Sequence, residues 1–173
     1  PPFLIRAVTD GQMDLALLAE DADLGPLRTL PLYRDPFRVA MAAGHPLAGR
    51  RKLADTALPA LELLLLEDGH CLRDQALSVC GRRGKPHVGD LRASSLGTLV
   101  GMVVSGSGVT LLPEIARPLA SHAESPLALV PLTSSSAYRT ICLAWRPSDP
   151  RADEYTELAE LFVEHAPPGV TPV

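Results

Sequence analysis

The sequence predicts an α/β fold, and three observations carry that prediction. Short apolar runs bounded by Gly, Pro or Asp alternate along the chain with stretches of helical apolar spacing, the pattern of strands and helices packed in layers. One run, Leu61 to Leu66, holds five leucines in six positions and reads as a strand buried on both faces, which favours a parallel-rich sheet. The composition, 46% hydrophobic and 21% charged over 173 residues, supplies enough apolar surface for one domain or for two small lobes sharing a sheet.

In chain order, Leu4 to Val8 has the spacing of the end of a helix, Asp10-Gly11 turns the chain, and Met13 to Leu18 reads as a buried strand. A loop from Asp21 leads into an extended run at Leu27 to Tyr33, and Phe37 to Ala43 forms a further strand closed by Gly44-His45-Pro46. Lys52 to Ala57 is expected as a short helix before the leucine strand. Gly81 to Gly89 is a solvated loop carrying Arg82, Arg83 and Lys85, followed by a strand from Val88 to Ala93. Ser94 or Ser95 caps a helix from Leu96 to Ser105. The Gly106-Ser107-Gly108 that ends it follows a helix instead of preceding one, so it reads as a C-cap turn and not as a phosphate loop. Val109 to Leu112 is a strand, Pro113 to Leu119 a short helix, and Ala120 to Pro126 a loop with an exposed His122. Leu127 to Leu132 and Thr140 to Trp145 are strands, with Cys142 expected buried and inert. Ala152 to His165 is helical, and the Pro-rich tail from Pro167 is expected to be loose.

The chemistry concentrates in EDGHCLRDQALSVC, Glu67 to Cys80, where a charged, Gly-containing turn precedes a helical pattern bounded by two thiols. Asp68 as N-cap would place Cys71 in the first helical turn, where free backbone N–H groups and the helix dipole favour a thiolate. His70 and Arg73 push the same way, while Glu67, Asp68 and Asp74 oppose them. A helix from Leu72 to Cys80 holds the two cysteines about 13 Å apart along its axis. A disulfide needs Cα atoms within roughly 4.4–6.8 Å, so joining this pair requires the segment to unwind. A plainer interpretation stands beside that one: Leu72, Ala76, Leu77 and Cys80 form an apolar stripe in which Cys80 is a small core residue.

Composition excludes several classes. The net charge of −4, from 16 basic and 20 acidic side chains with no dense Lys/Arg run, lacks the footprint of a nucleic-acid-binding surface. No signal-peptide or membrane-spanning pattern is visible, so a cytoplasmic location is the default. The three cysteines fit neither a secreted disulfide framework nor a zinc pattern, and no cofactor or metal is expected.

The run EDGHCLRDQAL with its second cysteine resembles the redox segment of the peroxide sensors among the LysR-type transcriptional regulators. Arg92 to Glu114, RASSLGTLVGMVVSGSGVTLLPE, resembles the helix, Gly-rich turn and strand of the LysR-type effector-binding domain, and Tyr138 to Pro147, YRTICLAWRP, a later strand of it. The resemblance implies a two-lobed, periplasmic-binding-protein-like (type 2) domain, with one lobe at about 1–33 and 140–173 and the other at about 34–139. It also implies that the first strand and most of the first helix of that domain are absent, as is the DNA-binding domain, so the chain is expected to be a truncated form deficient in regulation. By the same resemblance Cys71 is the peroxide-reactive thiol and Cys80 the partner that closes a disulfide. Gly69, His70, Arg73, Asp74, Gln75 and Arg139 would line the peroxide pocket. The partners implied are hydrogen peroxide, a thiol reductant, a second copy or more in a homodimer or tetramer, and DNA through another domain; no membrane is involved. The resemblance points to a sensor of oxidative stress and not to an enzyme. A LysR-type domain that takes a small organic effector, with incidental cysteines, is the alternative, and a thiol peroxidase is a further rival with no visible motif.

Overall fold

A computed structural model describes residues 2–20, 23–81, 87–121 and 127–173. The loop cations Arg82, Arg83 and Lys85, and His122, lie outside the described residues. The elements run α1 (Pro2–Thr9), β1 (Leu15–Ala19), β2 (Arg28–Ala42), β3 (Glu62–Leu66), α2 (Cys71–Gly81), β4 (His87–Ala93), α3 (Leu96–Val104), β5 (Thr110–Pro113), α4 (Arg117–Ser121), β6 (Leu127–Pro131), β7 (Tyr138–Trp145), α5 (Ala152–Glu164) and β8 (Thr171–Pro172). The chain divides into two compact units, Pro1–Asp35 with Arg139–Val173, and Pro36–Tyr138. Among the described residues no helix is long and apolar enough to cross a membrane.

In the first unit, β1 pairs antiparallel with β7, from Leu15 opposite Trp145 to Ala19 opposite Ile141. Their shared face buries Ala16, Leu18, Cys142 and Ala144 against Val8 of α1. Alternation along β1 leaves Leu17 42% exposed, so β1 is covered on one face more fully than the other, unlike the fully buried strand its sequence suggests. Arg146 fastens the end of α1 to this sheet, donating to the carbonyls of Val8 at 2.6 Å and Met13 at 2.7 Å and pairing with Asp149 at 2.8 Å. Arg151 also holds Asp149, and its hydrogen bond brings that carboxyl down to about 2. The tail is not loose. Thr171 and Pro172 lie opposite Arg34 and Tyr33 of β2, and the Val173 N–H donates to Leu32 O at 3.1 Å. Proline is tolerated on such an edge strand, because a missing N–H need not leave a ladder bond unmade there.

In the second unit, the later half of β2 is central, with β5 on one side and β6 on the other, both antiparallel. Strand β3 pairs in parallel with β4 and meets Val109 in a parallel bridge on its other side. Leu63 to Leu66 are all buried, as a strand covered on both faces should be. Both neighbours of β3 are thus parallel to it, as its leucine run predicts, while β2 runs antiparallel to β5 and β6. The runs at Leu27 to Tyr33 and Phe37 to Ala43 merge into the single strand β2. The helix expected at Lys52 to Ala57 is a 3-10 turn over Asp55–Ala60 instead, with Pro59 inside it.

Helix α3 starts where its cap predicts, the Ser95 hydroxyl accepting from the Thr98 N–H at 3.1 Å. It ends at Gly106, whose φ of 82° is the left-handed conformation of a C-cap glycine. Gly108 has a different duty, since a Cβ there would lie 2.8 Å from the Glu62 carbonyl oxygen and 2.9 Å from Leu64 Cγ. This close approach lets Val109 N–H donate to Glu62 O at 2.9 Å and Leu64 N–H to Val109 O at 2.7 Å, which fixes the strand that delivers the thiol segment. Gly108→Ala is therefore expected to cost about 1–3 kcal/mol by overpacking, measured by urea denaturation. An unchanged midpoint would show that β3 yields freely.

Candidate functional site: the two ends of helix α2

Strand β3 ends at Leu66, and Glu67 to His70 make an exposed turn in which Gly69 takes a φ of 90°. A side chain is strained in that conformation, so glycine sets the angle at which the chain enters α2. Cys71 is the first residue of the helix, and the His70 carbonyl accepts from the Arg73 N–H at 2.9 Å. The cap position therefore falls on His70. Asp68 is not the N-cap the sequence suggests; it lies two residues further upstream, and its carboxylate reaches Arg73 Nη2 at 3.1 Å.

The helix is held by one apolar face. Ala76, Val79 and Cys80 are buried in a cluster with Phe37, Met41, Leu58 and Leu65, and Leu72 packs against the same cluster. This is close to the stripe read from the sequence. Cys71 is half-buried and free, whereas Cys80 is free and only 1% exposed. Burial, aided by the negative charge of Asp55, pushes the Cys80 thiol up to about 11. Nothing in the local sequence signals Asp55, which comes from the 3-10 turn and also accepts from the Ser134 N–H.

Two polar side chains of α2 carry buried atoms without a hydrogen-bond partner among the described residues. Gln75 is 5% exposed, and neither its amide nitrogen nor its oxygen has a hydrogen-bond partner among the described residues. Arg73 Nε is likewise buried without a partner. Arg73 lines a narrow recess with Leu65, Leu66, Leu72, Ala76 and Leu99, with no space for a water molecule. Asp74 faces solvent.

Gly69, His70, Arg73, Asp74 and Gln75 thus stand on one continuous stretch beside Cys71. Arg139 belongs to the other unit, where its Nε donates to the fully buried Asp35 at 3.0 Å. Its partner Asp35 was invisible in the sequence, 104 positions away. Cys142 is fully buried in β7, as expected. Among the described residues no group of three or more His, Cys, Asp or Glu is arranged to hold a metal ion.

Residues 1–167 match the family model of the LysR substrate binding domain, and the chain belongs to that family. Within it, the chain is similar to proteins named for peroxide response. It is 43% identical over 162 residues to a probable hydrogen peroxide-inducible genes activator of Mycobacterium avium, covering 93% of this chain and 52% of that protein. It superimposes with a TM-score of 0.85 on a cysteine-to-serine variant of Corynebacterium glutamicum OxyR with hydrogen peroxide bound, at 38% identity, covering 94% of this chain and 52% of that one. The reduced regulatory domain of Vibrio vulnificus OxyR2 gives a TM-score of 0.83 at 30% identity, covering 95% of this chain and 77% of that one. The α/β, periplasmic-binding-protein-like architecture is therefore that of OxyR regulatory domains. The chain spans about half the length of the curated relative, 52%.

The thiols should differ in reactivity. At pH 8 a group with its pKa near 11 is about one part in a thousand thiolate, and Cys80 and Cys142 are also buried. Brief alkylation of the folded, reduced chain is expected to label Cys71 at least tenfold faster than either, as read by peptide mass spectrometry. Comparable labelling of Cys80 would mean that α2 opens readily without oxidation.

Proposed function

We propose that this chain is the peroxide-sensing regulatory domain of a transcription factor, switched by a disulfide between Cys71 and Cys80. The observation that carries the proposal is the placement of a half-buried thiol at the start of α2 and a buried one near its end. The names of its relatives support the oxidant, hydrogen peroxide.

The chemistry balances in two steps. The Cys71 thiolate attacks one peroxide oxygen; an S–O bond forms, the O–O bond breaks, and the departing hydroxide takes a proton to become water, leaving a sulfenic acid. Cys80, once its end of the helix leaves the core and its thiol ionises, attacks the Cys71 sulfur. The S–S bond forms, the S–O bond breaks, and a second water departs. Two thiols are oxidised and one peroxide is reduced; a dithiol or glutathione would reverse the change.

In this proposal, Gly69 and His70 shape the approach to Cys71, and the charged and amide groups of Arg73, Asp74 and Gln75 surround it. The burial that raises Cys80 sets the order of events, because the second thiol is withheld until the helix yields. The altered segment is then the signal that a DNA-binding domain elsewhere in the whole protein would read.

Peroxide treatment is expected to remove two free thiols and to give a peptide linked through Cys71 and Cys80. In Cys80→Ser a sulfenic acid should accumulate at Cys71, and in Cys71→Ser none should form at Cys80, both read by mass spectrometry with a sulfenate-trapping reagent. The opposite pattern would reverse the roles, and retention of all three thiols would refute the proposal.

A further inference from the structure

The Asp68–Arg73 ion pair spans Cys71 in the sequence, joining the turn before the thiol to the helix after it. We infer that this pair is an ionic latch that holds the Cys71 turn in its reduced arrangement and so sets how readily the switch is thrown, with Asp68 and Arg73 as positioning residues. The inference rests on the proposed Cys71–Cys80 disulfide for its consequence, though not for the latch itself.

Three features of the site argue for it. Arg73 is confined: its side chain is 18% exposed and lies along the narrow recess beneath α2. Its Nε has no partner among the described residues, and the recess has no room for water, so the Asp68 carboxylate is the anion seen to compensate a largely buried cation. Asp68, by contrast, is 92% exposed and has no other ion pair among the described residues, so little besides Arg73 restrains its carboxylate. Between them lies Gly69 at a φ of 90°, a backbone position that other side chains do not stiffen. A turn built this way moves easily unless something outside its backbone fixes it, and the ion pair does so.

Joining Cys71 to Cys80 unwinds the segment between them, which contains Arg73, and the latch opens with it. Its contribution therefore belongs to the reduced state and opposes oxidation. Because one partner is in water, the contribution is modest and weakened by salt.

The test uses the whole chain with Asp68→Asn, Asp68→Glu, Arg73→Met and the Asp68→Asn/Arg73→Met double variant. In the reduced protein, exchange of the Arg73 amide, which donates to the His70 carbonyl, should rise two- to fivefold in Asp68→Asn and stay near wild type in Asp68→Glu. In a glutathione redox buffer, Asp68→Asn should favour the Cys71–Cys80 disulfide by about threefold, about 14 mV, since tenfold is 29.6 mV for two electrons. Raising salt from about 20 mM to about 500 mM should favour the disulfide in wild type and change Asp68→Asn less. The double variant should be no looser than Arg73→Met alone, since one interaction is lost once.

Exchange and redox balance both unchanged in Asp68→Asn would overturn the latch. If no Cys71–Cys80 disulfide forms in any variant, the proposed switch fails while the exchange measurement still decides the latch. A loosened turn with an unchanged redox balance would remove its regulatory role. Arg73→Met, if it fails to fold, is not needed, because Asp68 is exposed and its substitution leaves the core intact.

Discussion

Two thiols at opposite ends of one helix cannot meet while that helix exists. Nine positions at about 1.5 Å each separate them by about twice the longest Cα span of a disulfide. The remaining features of the segment follow from this constraint. The backbone ladder of α2 resists shortening, and the buried face of Ala76, Val79 and Cys80 anchors the helix to β2 and β3. Removing Cys80 from that cluster exposes apolar surface that several surrounding leucines also cover, so the helix end cannot move alone.

The helix is not made unbreakable, and the reason lies in its polar side chains. Gln75 is buried with no partner among the described residues for either amide atom, a cost of about 1–3 kcal/mol that opening the helix to water would relieve. Arg73 is compensated from the exposed side by a carboxylate that stands in solvent. Apolar packing at one end and imperfectly satisfied polar groups at the other give a segment whose folded and opened states differ by less than packing alone would impose.

Much of this was legible in the sequence, and particular residues show why. The stripe of Leu72, Ala76 and Cys80 located α2, Ser95 located the start of α3, and five leucines located β3, because each is a local signal of period, cap or burial. What was not legible depends on contacts between distant residues. Strand direction in β2 was hidden, since its partners β5 and β6 arrive some 70 to 90 positions later. Asp68 looked like a cap because its residue type suits one, but Gly69 turns the chain and the helix begins only at Cys71. The pairing of the C-terminal tail with β2 was hidden for the same reason as the Asp35 partner of Arg139: both join the two ends of the chain.

The central claim is that the thiols communicate by loss of the helix between them. Hydrogen exchange of the amides from Gln75 to Gly81, measured on the reduced chain and again after one equivalent of peroxide, addresses it directly. Protection there should be present in the reduced chain and should fall by at least tenfold once the Cys71–Cys80 bond has formed. Equal protection in both states, with the disulfide verified, would contradict the account, because it would mean that the two sulfurs reach one another with the helix intact.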